Sequence, residues 1–151
     1  MDDATLIRKV RDEHRILDEI RDALETALAD GDLGDRRHWL DTVRSRFEHF
    51  RAHLIHRIAL EEIGGFLHMV TERRPTLSHQ VEHLRTAHHQ MIKMAEDTMN
   101  LLRELNSRDK DSVTQATLLV KMMLSEVRYH EEAEQLLISF VITQEIGDSG
   151  D

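Results

Sequence analysis

Five ionisable side chains fall at positions where the helical pattern of this chain calls for apolar residues. They are His14, Glu61, His88, His130 and Glu134. An imidazole or a carboxylate in a helical core is costly unless it is hydrogen-bonded or binds an ion. Imidazole nitrogen and carboxylate oxygen together suit iron, manganese or zinc. The five residues therefore predict a metal site, and a buried hydrogen-bonded network of His and Glu, joined by Arg57, is the alternative.

The elements that must position these residues are amphipathic helices. Apolar residues recur at steps of three and four, which predicts four helices over about 4–29, 36–72, 76–106 and 112–143. Gly64 and Gly65 lie inside the second predicted helix, where they lower helix stability, and Ser112 is the expected cap of the last one.

The connections between the four predicted helices are short. This predicts an all-α fold, an up-down-up-down antiparallel four-helix bundle. The bundle forms a single domain over residues 1–151, with residues 145–151 as a flexible tail.

In that topology the five residues share one height. Each lies about nine to thirteen residues from the same end of the bundle, and at about 1.5 Å per residue this is a depth of about 13–20 Å. His130 and Glu134 are four residues apart and project from one helix face. His53 flanks the stripe of the second helix and could reach inward, so it is the sixth candidate metal ligand.

Composition limits the class of protein. The chain has 151 residues, 40% of them hydrophobic and 32% charged, which is typical of one globular domain. It has no cysteine, which excludes disulfides and thiolate ligands. The net charge of −9 argues against nucleic acid as a partner. No segment has the length and apolarity of a membrane span, and the N-terminus lacks the apolar run of a secretory signal, so we expect no membrane partner and a cytoplasmic location.

The residues resemble those of a known family, the hemerythrin-like or HHE cation-binding domain. The resemblance rests on DEHRIL around His14, HLIHRIALEEIGGFL at 53–67, the helix of His88 and YHEEAEQLL at 129–137. It implies a four-helix bundle with a non-haem di-iron centre bridged by two carboxylates. Members of the family carry or sense dioxygen, or handle iron, nitric oxide or peroxide. By this resemblance Glu61 and Glu134 would bridge the metals, and the histidines would be terminal ligands.

The chain departs from the pattern of the family at two positions. The family's His-x-x-x-Glu pattern would place a histidine at 57, where this chain has Arg57, and its His-x-x-x-His pattern would place one at 84, where it has Leu84. Arg57 is one turn before Glu61 and would bring its charge to the place of a second metal. We therefore expect a weakened site, a mononuclear site, or one that recruits His53 or His56.

The expected function is the binding or sensing of dioxygen, or of a related small ligand such as nitric oxide or peroxide, by iron in the bundle core. The iron centre is di-iron or mononuclear, and zinc or manganese are the alternative metals. The alternative function is that of a metal-free bundle serving as an interaction or regulatory module. Whether the chain is an enzyme is left open, and iron storage would require a shell-forming device that the sequence does not reveal. A monomer is expected, with a dimer as the alternative.

Overall fold

Helices make up nearly all of the backbone in the computed structural model, which describes residues 1–31 and 34–149. The elements are α1 (Asp3–Asp30), α2 (Arg36–Glu62), α3 (Phe66–Arg73), a 3-10 turn (Pro75–Leu77), α4 (Ser78–Glu104) and α5 (Lys110–Ser149). Within these residues there is no strand, and the predicted all-α class is confirmed.

The predicted second helix over 36–72 is wrong, because the chain breaks into α2 and α3 at Gly64 and Gly65. A Cβ atom at Gly64 would lie 2.2 Å from the carbonyl oxygen of Leu60. Gly65 has a φ of +93°, which is in the left-handed region that favours glycine. The paired glycines therefore end α2 just after Glu61 and start α3 in a new direction, with Phe66 and Leu67 buried.

Aspartates cap three of the long helices. The side chains of Asp2 and Asp35 accept hydrogen bonds from the backbone N–H groups of Thr5 and His38, at the starts of α1 and α2. The Asp109 side chain accepts from the backbone N–H of Ser112 at 3.2 Å. Ser112 is therefore not the cap of the last helix, which begins at Lys110.

The last helix also continues further than expected. It runs to Ser149, whereas the sequence predicted an end at about 143 and a loose tail from 145. The segment after 143 contains no proline and no glycine before Gly147, so no residue stops the helix there. Residues 150–151 of the predicted tail lie outside the described residues.

The long helices form a bundle whose apolar core is divided in two. Helix α1 packs against α2 and α5, and α4 packs against the same two helices. One apolar cluster extends from Leu17 towards the α4–α5 connection and includes Phe47 and Phe50. The second contains the first turns of α1, the whole inner face of α3 and Ile138 of α5. The ionisable residues singled out above lie between the two clusters.

None of the described helices has both the length and the apolarity needed to cross a membrane.

Replacing Gly64 by alanine is expected to lower the free energy of unfolding by about 1–3 kcal/mol, because backbone must move to accommodate the new Cβ. Gly65→Ala meets no atom and should cost about 1–2 kcal/mol through its positive φ alone. Urea denaturation measures both values. Ile63→Ala is the control, because Ile63 is 89% exposed and should change little. A Gly64→Ala variant as stable as this control would contradict the steric argument.

Candidate metal centre

Three helices bring four ligand-type side chains together in the bundle interior. Glu61 of α2, His88 of α4, and His130 with Glu134 of α5 each offer one ligand atom, and these atoms all lie within 4.8 Å of one another. All four residues are buried. The prediction of a buried His/Glu cluster that could hold a metal ion is confirmed. We call these four residues the central cluster.

The distances within the central cluster are those of atoms that can share one cation. His88 Nε2 lies 3.0 Å from Glu61 Oε2 and 3.1 Å from Glu134 Oε1. His130 Nε2 lies 2.8 Å from Glu134 Oε1. Ligands about 2.0–2.2 Å from a tetrahedral ion are separated from one another by roughly 3–3.5 Å. Small side-chain adjustments would therefore suffice to surround a first-row metal ion.

His14 contacts the same two carboxylates from the opposite side. Its Nε2 atom lies 2.7 Å from Glu134 Oε2 and 3.2 Å from Glu61 Oε1. Each carboxylate therefore directs one oxygen towards the histidines of the central cluster and the other towards His14. The carboxylates stand between a side with two histidines and a side with one.

Two further side chains lie beside the outer ring nitrogens of the histidines, Gln135 within hydrogen-bond distance and Glu62 without a hydrogen bond. Glu62 Oε2 lies 3.4 Å from His88 Nδ1, and the Gln135 side-chain amide lies 2.8 Å from His14 Nδ1. Groups that contact the outer nitrogen of an imidazole orient the ring and leave its inner nitrogen for a metal. Glu62 is half-buried, and its carboxylate lies on the outer side of the His88 ring.

Arg57 lies beside the carboxylates, as the sequence predicted, and is fully buried. Its Nε atom is 3.6 Å from Glu61 Oε1 and its Nη2 atom is 4.0 Å from Glu134 Oε1. Burial alone would lower the pKa of Arg57, but the carboxylates of Glu134, Glu61 and Glu131 raise it above its usual range. The guanidinium therefore keeps its positive charge in the core.

Sequence reasoning missed two buried charged residues, Arg21 and Glu131. Glu131 accepts from Arg57 Nη1 at 2.7 Å and from Arg21 Nη1 at 2.8 Å, and Arg21 also contacts Asp18. Both residues lie on the apolar stripes of their helices, Arg21 midway between Leu17 and Leu24. Their position on these stripes is the signal that could have found them.

The sixth predicted ligand, His53, lies outside the central cluster. Its Nε2 atom is 2.8 Å from Glu13 Oε2, and His56 Nε2 is 3.8 Å from the other oxygen of the same carboxylate. Burial, the largest influence, lowers the pKa of His53. Six further histidines are exposed: His38, His49, His68, His79, His83 and His89.

Two atoms of the central cluster support a bound cation. Within the described part of the chain, Glu61 Oε2 and His130 Nε2 are buried and make no hydrogen bond, although each lies within 3.0 Å of another polar atom. A buried polar atom without a hydrogen bond is costly. Lone pairs that converge without hydrogen-bonding geometry are what a metal ion requires of its ligands, so the residues present fit such an ion.

In the metal-free protein, His14 and His88 of this layer carry an additional proton. Burial alone would lower the pKa of His14 and of His88, but hydrogen bonds with Glu134 and Glu61 outweigh it and raise both values to about 9. Burial alone would raise the pKa of Glu134, but Arg57 and the three neighbouring histidines hold it well below its usual range. The layer of the metal-free protein is therefore a network of ion pairs.

A cavity lies between α4 and α5 and reaches the edge of this layer at His130. It has a volume of about 190 Å³, and His130 forms part of its wall. Leu84, Met91 and Ala133 give it a mainly apolar lining, and Tyr129 stands at its outer edge. A small uncharged molecule could approach the central cluster along this route.

No protein-family model, curated protein or solved structure matches this chain. A function can therefore be proposed only from the geometry of the buried residues and from the resemblance of the sequence to the hemerythrin-like family.

The metal-free protein is expected to lose stability in alkali. Because the folded-state pKa of His14 and of His88 is raised from 6.5 to about 9, their contribution is complete below about pH 6.5 and disappears as the pH rises through 9. The expected loss is on the order of a few kcal/mol. Urea midpoints measured in chelator between pH 6 and pH 10 test this.

The matched variants for this pH series are His88→Gln and His79→Gln. His79 is exposed and outside the layer, so its variant should keep the alkaline loss, whereas His88→Gln should show a smaller one. Equal pH profiles for the two variants would contradict the assignment.

Proposed function

We propose that this chain is a metal-binding protein of the hemerythrin-like type, with a single non-haem iron held by Glu61, His88, His130 and Glu134. The observation that carries the proposal is the convergence of these four buried ligand atoms within 4.8 Å. Two nitrogen and two oxygen donors suit iron, manganese or zinc. Iron is preferred here because the sequence resembles a family that binds it.

We also infer that the four long helices run up, down, up and down. The contacts between helices support this course, because they pair early residues of one helix with late residues of the next. Glu13 of α1 contacts His53 of α2, while Trp39, near the start of α2, donates to the carbonyl of Ala27 near the end of α1. Arg44 of α2 likewise donates to the carbonyl of Leu102, near the end of α4.

The position of Arg57 supports one metal rather than two. A second metal bridged by the carboxylates would need Glu61 Oε1, the oxygen that faces His14. Arg57 Nε already lies 3.6 Å from that oxygen. A guanidinium and a divalent cation side by side would repel each other strongly in a dry interior. His14 would also be the lone histidine on that side, so the second position lacks both ligands and favourable charge.

A redox-active metal with a free coordination position would bind dioxygen, nitric oxide or peroxide. The protein's part is to hold the ligands, to keep bulk water away and to admit a small molecule. The apolar cavity beside His130 suits a small uncharged ligand for this reason. His14 lies within hydrogen-bond reach of both carboxylates and would keep them in place.

Metal content is expected to be about one ion per chain. Protein stripped with chelator and reloaded with ferrous iron under anaerobic conditions should bind one equivalent and melt at a higher temperature, because the ion binds only the folded state. Elemental analysis and thermal melts measure the two effects. Glu134→Gln should lose both, whereas His79→Gln, an exposed histidine outside the cluster, should keep both. Two tightly bound ions per chain would contradict the mononuclear site.

Arg57→His is expected to raise the iron content from about one to about two ions per chain. The substitution removes the buried charge and places an imidazole one turn before Glu61, where the family's pattern has a ligand. Arg57→Met is the matched control, because it removes the charge without adding a ligand. Circular dichroism checks that both variants fold. An iron content of one in Arg57→His would show that more than Arg57 prevents the second metal.

A second candidate function is that of a metal-free interaction module. The ion network of Arg57, Glu131 and Arg21 favours it, because it satisfies much of the layer without any metal. Native protein that binds no iron, manganese or zinc and shows an unchanged melting temperature on their addition would establish this alternative over the metal centre.

A further inference from the structure

The outer face of α5 carries a row of large apolar side chains that face solvent. They are Leu118, Met122, Tyr129, Leu136 and Phe140, and we call them the α5 stripe. Their exposed fractions are 58%, 54%, 72%, 61% and 45%. Single exposed apolar residues are common on proteins, but five of them aligned on one helix face are a candidate interaction surface, although polar residues such as Ser125 and Glu132 lie between them.

The α5 stripe is symmetric about its centre. Met122 and Leu136 lie seven residues on either side of Tyr129, and Leu118 and Phe140 lie eleven residues on either side. Steps of four and seven residues keep side chains on one face of a helix. The stripe therefore extends about 33 Å along one face, at about 1.5 Å per residue. The spacing of its residues is the same when read in either direction along the helix.

Such spacing is what two antiparallel copies of one helix require. If two α5 helices cross at Tyr129 about a two-fold axis, each residue before Tyr129 meets the residue equally far after it in the second copy. Met122 then faces Leu136 of the second copy, and Leu118 faces its Phe140. Every apolar side chain of the stripe finds an apolar partner in this one register.

A groove beside the α5 stripe completes the fit. It lies between α4 and α5, has a volume of about 590 Å³ and is walled by Leu136 and Phe140 together with Leu77, Leu84 and Leu137. In the same register, Met122 of the second copy lies opposite this groove. Methionine is flexible and fills irregular apolar space well.

The charges next to the stripe are also complementary. Arg128 is 52% exposed, although it pairs with Glu25 of its own chain, and Glu132 is exposed on the same edge of the helix. In the register centred on Tyr129, Arg128 and Glu132 of the second copy differ in height by two residues, or about 3 Å. Opposite charges therefore meet twice, once on each side of the two-fold axis.

We propose that a second copy of this chain binds the α5 stripe, forming an antiparallel two-fold dimer centred on Tyr129. A stable dimer of standard size buries about 800 Å² on each partner. Five half-exposed large side chains, the adjoining Leu119 and the polar rim supply an area of roughly that size. The net charge of −9 opposes an acidic membrane surface as the occupant, and it also makes two copies of the chain repel each other, a cost that the Arg128–Glu132 pairs partly offset. The proposal does not depend on the metal, but the dimer would cover Tyr129 at the outer edge of the cavity beside His130.

Sedimentation equilibrium of the full chain tests the association. The native chain is expected to dimerise with a dissociation constant in the micromolar range. Met122→Glu and Leu136→Glu should each weaken it at least tenfold, because they place charges in the apolar contact. Ile63→Glu is the control, because Ile63 is 89% exposed but lies off the stripe, and it should leave the constant unchanged. A native chain that stays monomeric up to about millimolar concentration would overturn the proposal, as would equal effects of the three substitutions.

Disulfide trapping tests the register, and the native chain has no cysteine to interfere. Tyr129→Cys lies on the axis and should give a covalent dimer on mild oxidation. Met122→Cys alone should not, because the two copies of residue 122 are about 21 Å apart in this register. An equimolar mixture of Met122→Cys and Leu136→Cys should cross-link between the two variants. Self-linked Met122→Cys with an unlinked mixture would overturn the antiparallel arrangement in favour of a parallel one. Circular dichroism confirms that each variant is folded.

Discussion

Charges in a protein interior must be compensated, and one layer of this bundle concentrates that requirement. Glu61 and Glu134 are fully buried carboxylates. The imidazole and guanidinium groups that contact them lie on α1, α2, α4 and α5. The negative charge of the two carboxylates can be compensated by protons on the histidines or by a metal ion bound among the ligands. The helices, their depth and their rotation about their axes are all constrained by it.

Arg57 brings a permanent positive charge into the layer of the two buried carboxylates. Its contacts hold that charge beside Glu61 and Glu134, whereas an imidazole at this place could lose its proton and bind an ion. Glu131 accepts a hydrogen bond from Arg57 and balances part of that charge, while Arg21 holds the other oxygen of Glu131. The two buried carboxylates thus share their layer with a guanidinium as well as with imidazoles.

Much of this arrangement could be predicted from the sequence, because helical periodicity turns position along the chain into position around a helix axis. That is why His14, His88 and the pair on α5 were placed in the core correctly. Gly64 and Gly65 were expected to weaken the second helix, but whether a glycine pair ends a helix depends on the local backbone, here the positive φ of Gly65, which only the coordinates reveal. His53 could not be placed either, since a flanking side chain turns inward or outward according to its neighbours, and Glu13 holds it away from the cluster.

The division of the apolar core into two clusters affects how the molecule comes apart. Apolar contacts bind each helix strongly to its neighbours above and below the layer, but across it the connection runs through ion pairs and hydrogen bonds. Helices α1, α4 and α5 run unbroken through the layer, so the backbone also joins the two halves, and the ion pairs add a part of the coupling that depends on protons, salt and metal. An ion bound in the layer would strengthen the coupling between the half that contains α3 and the rest of the bundle.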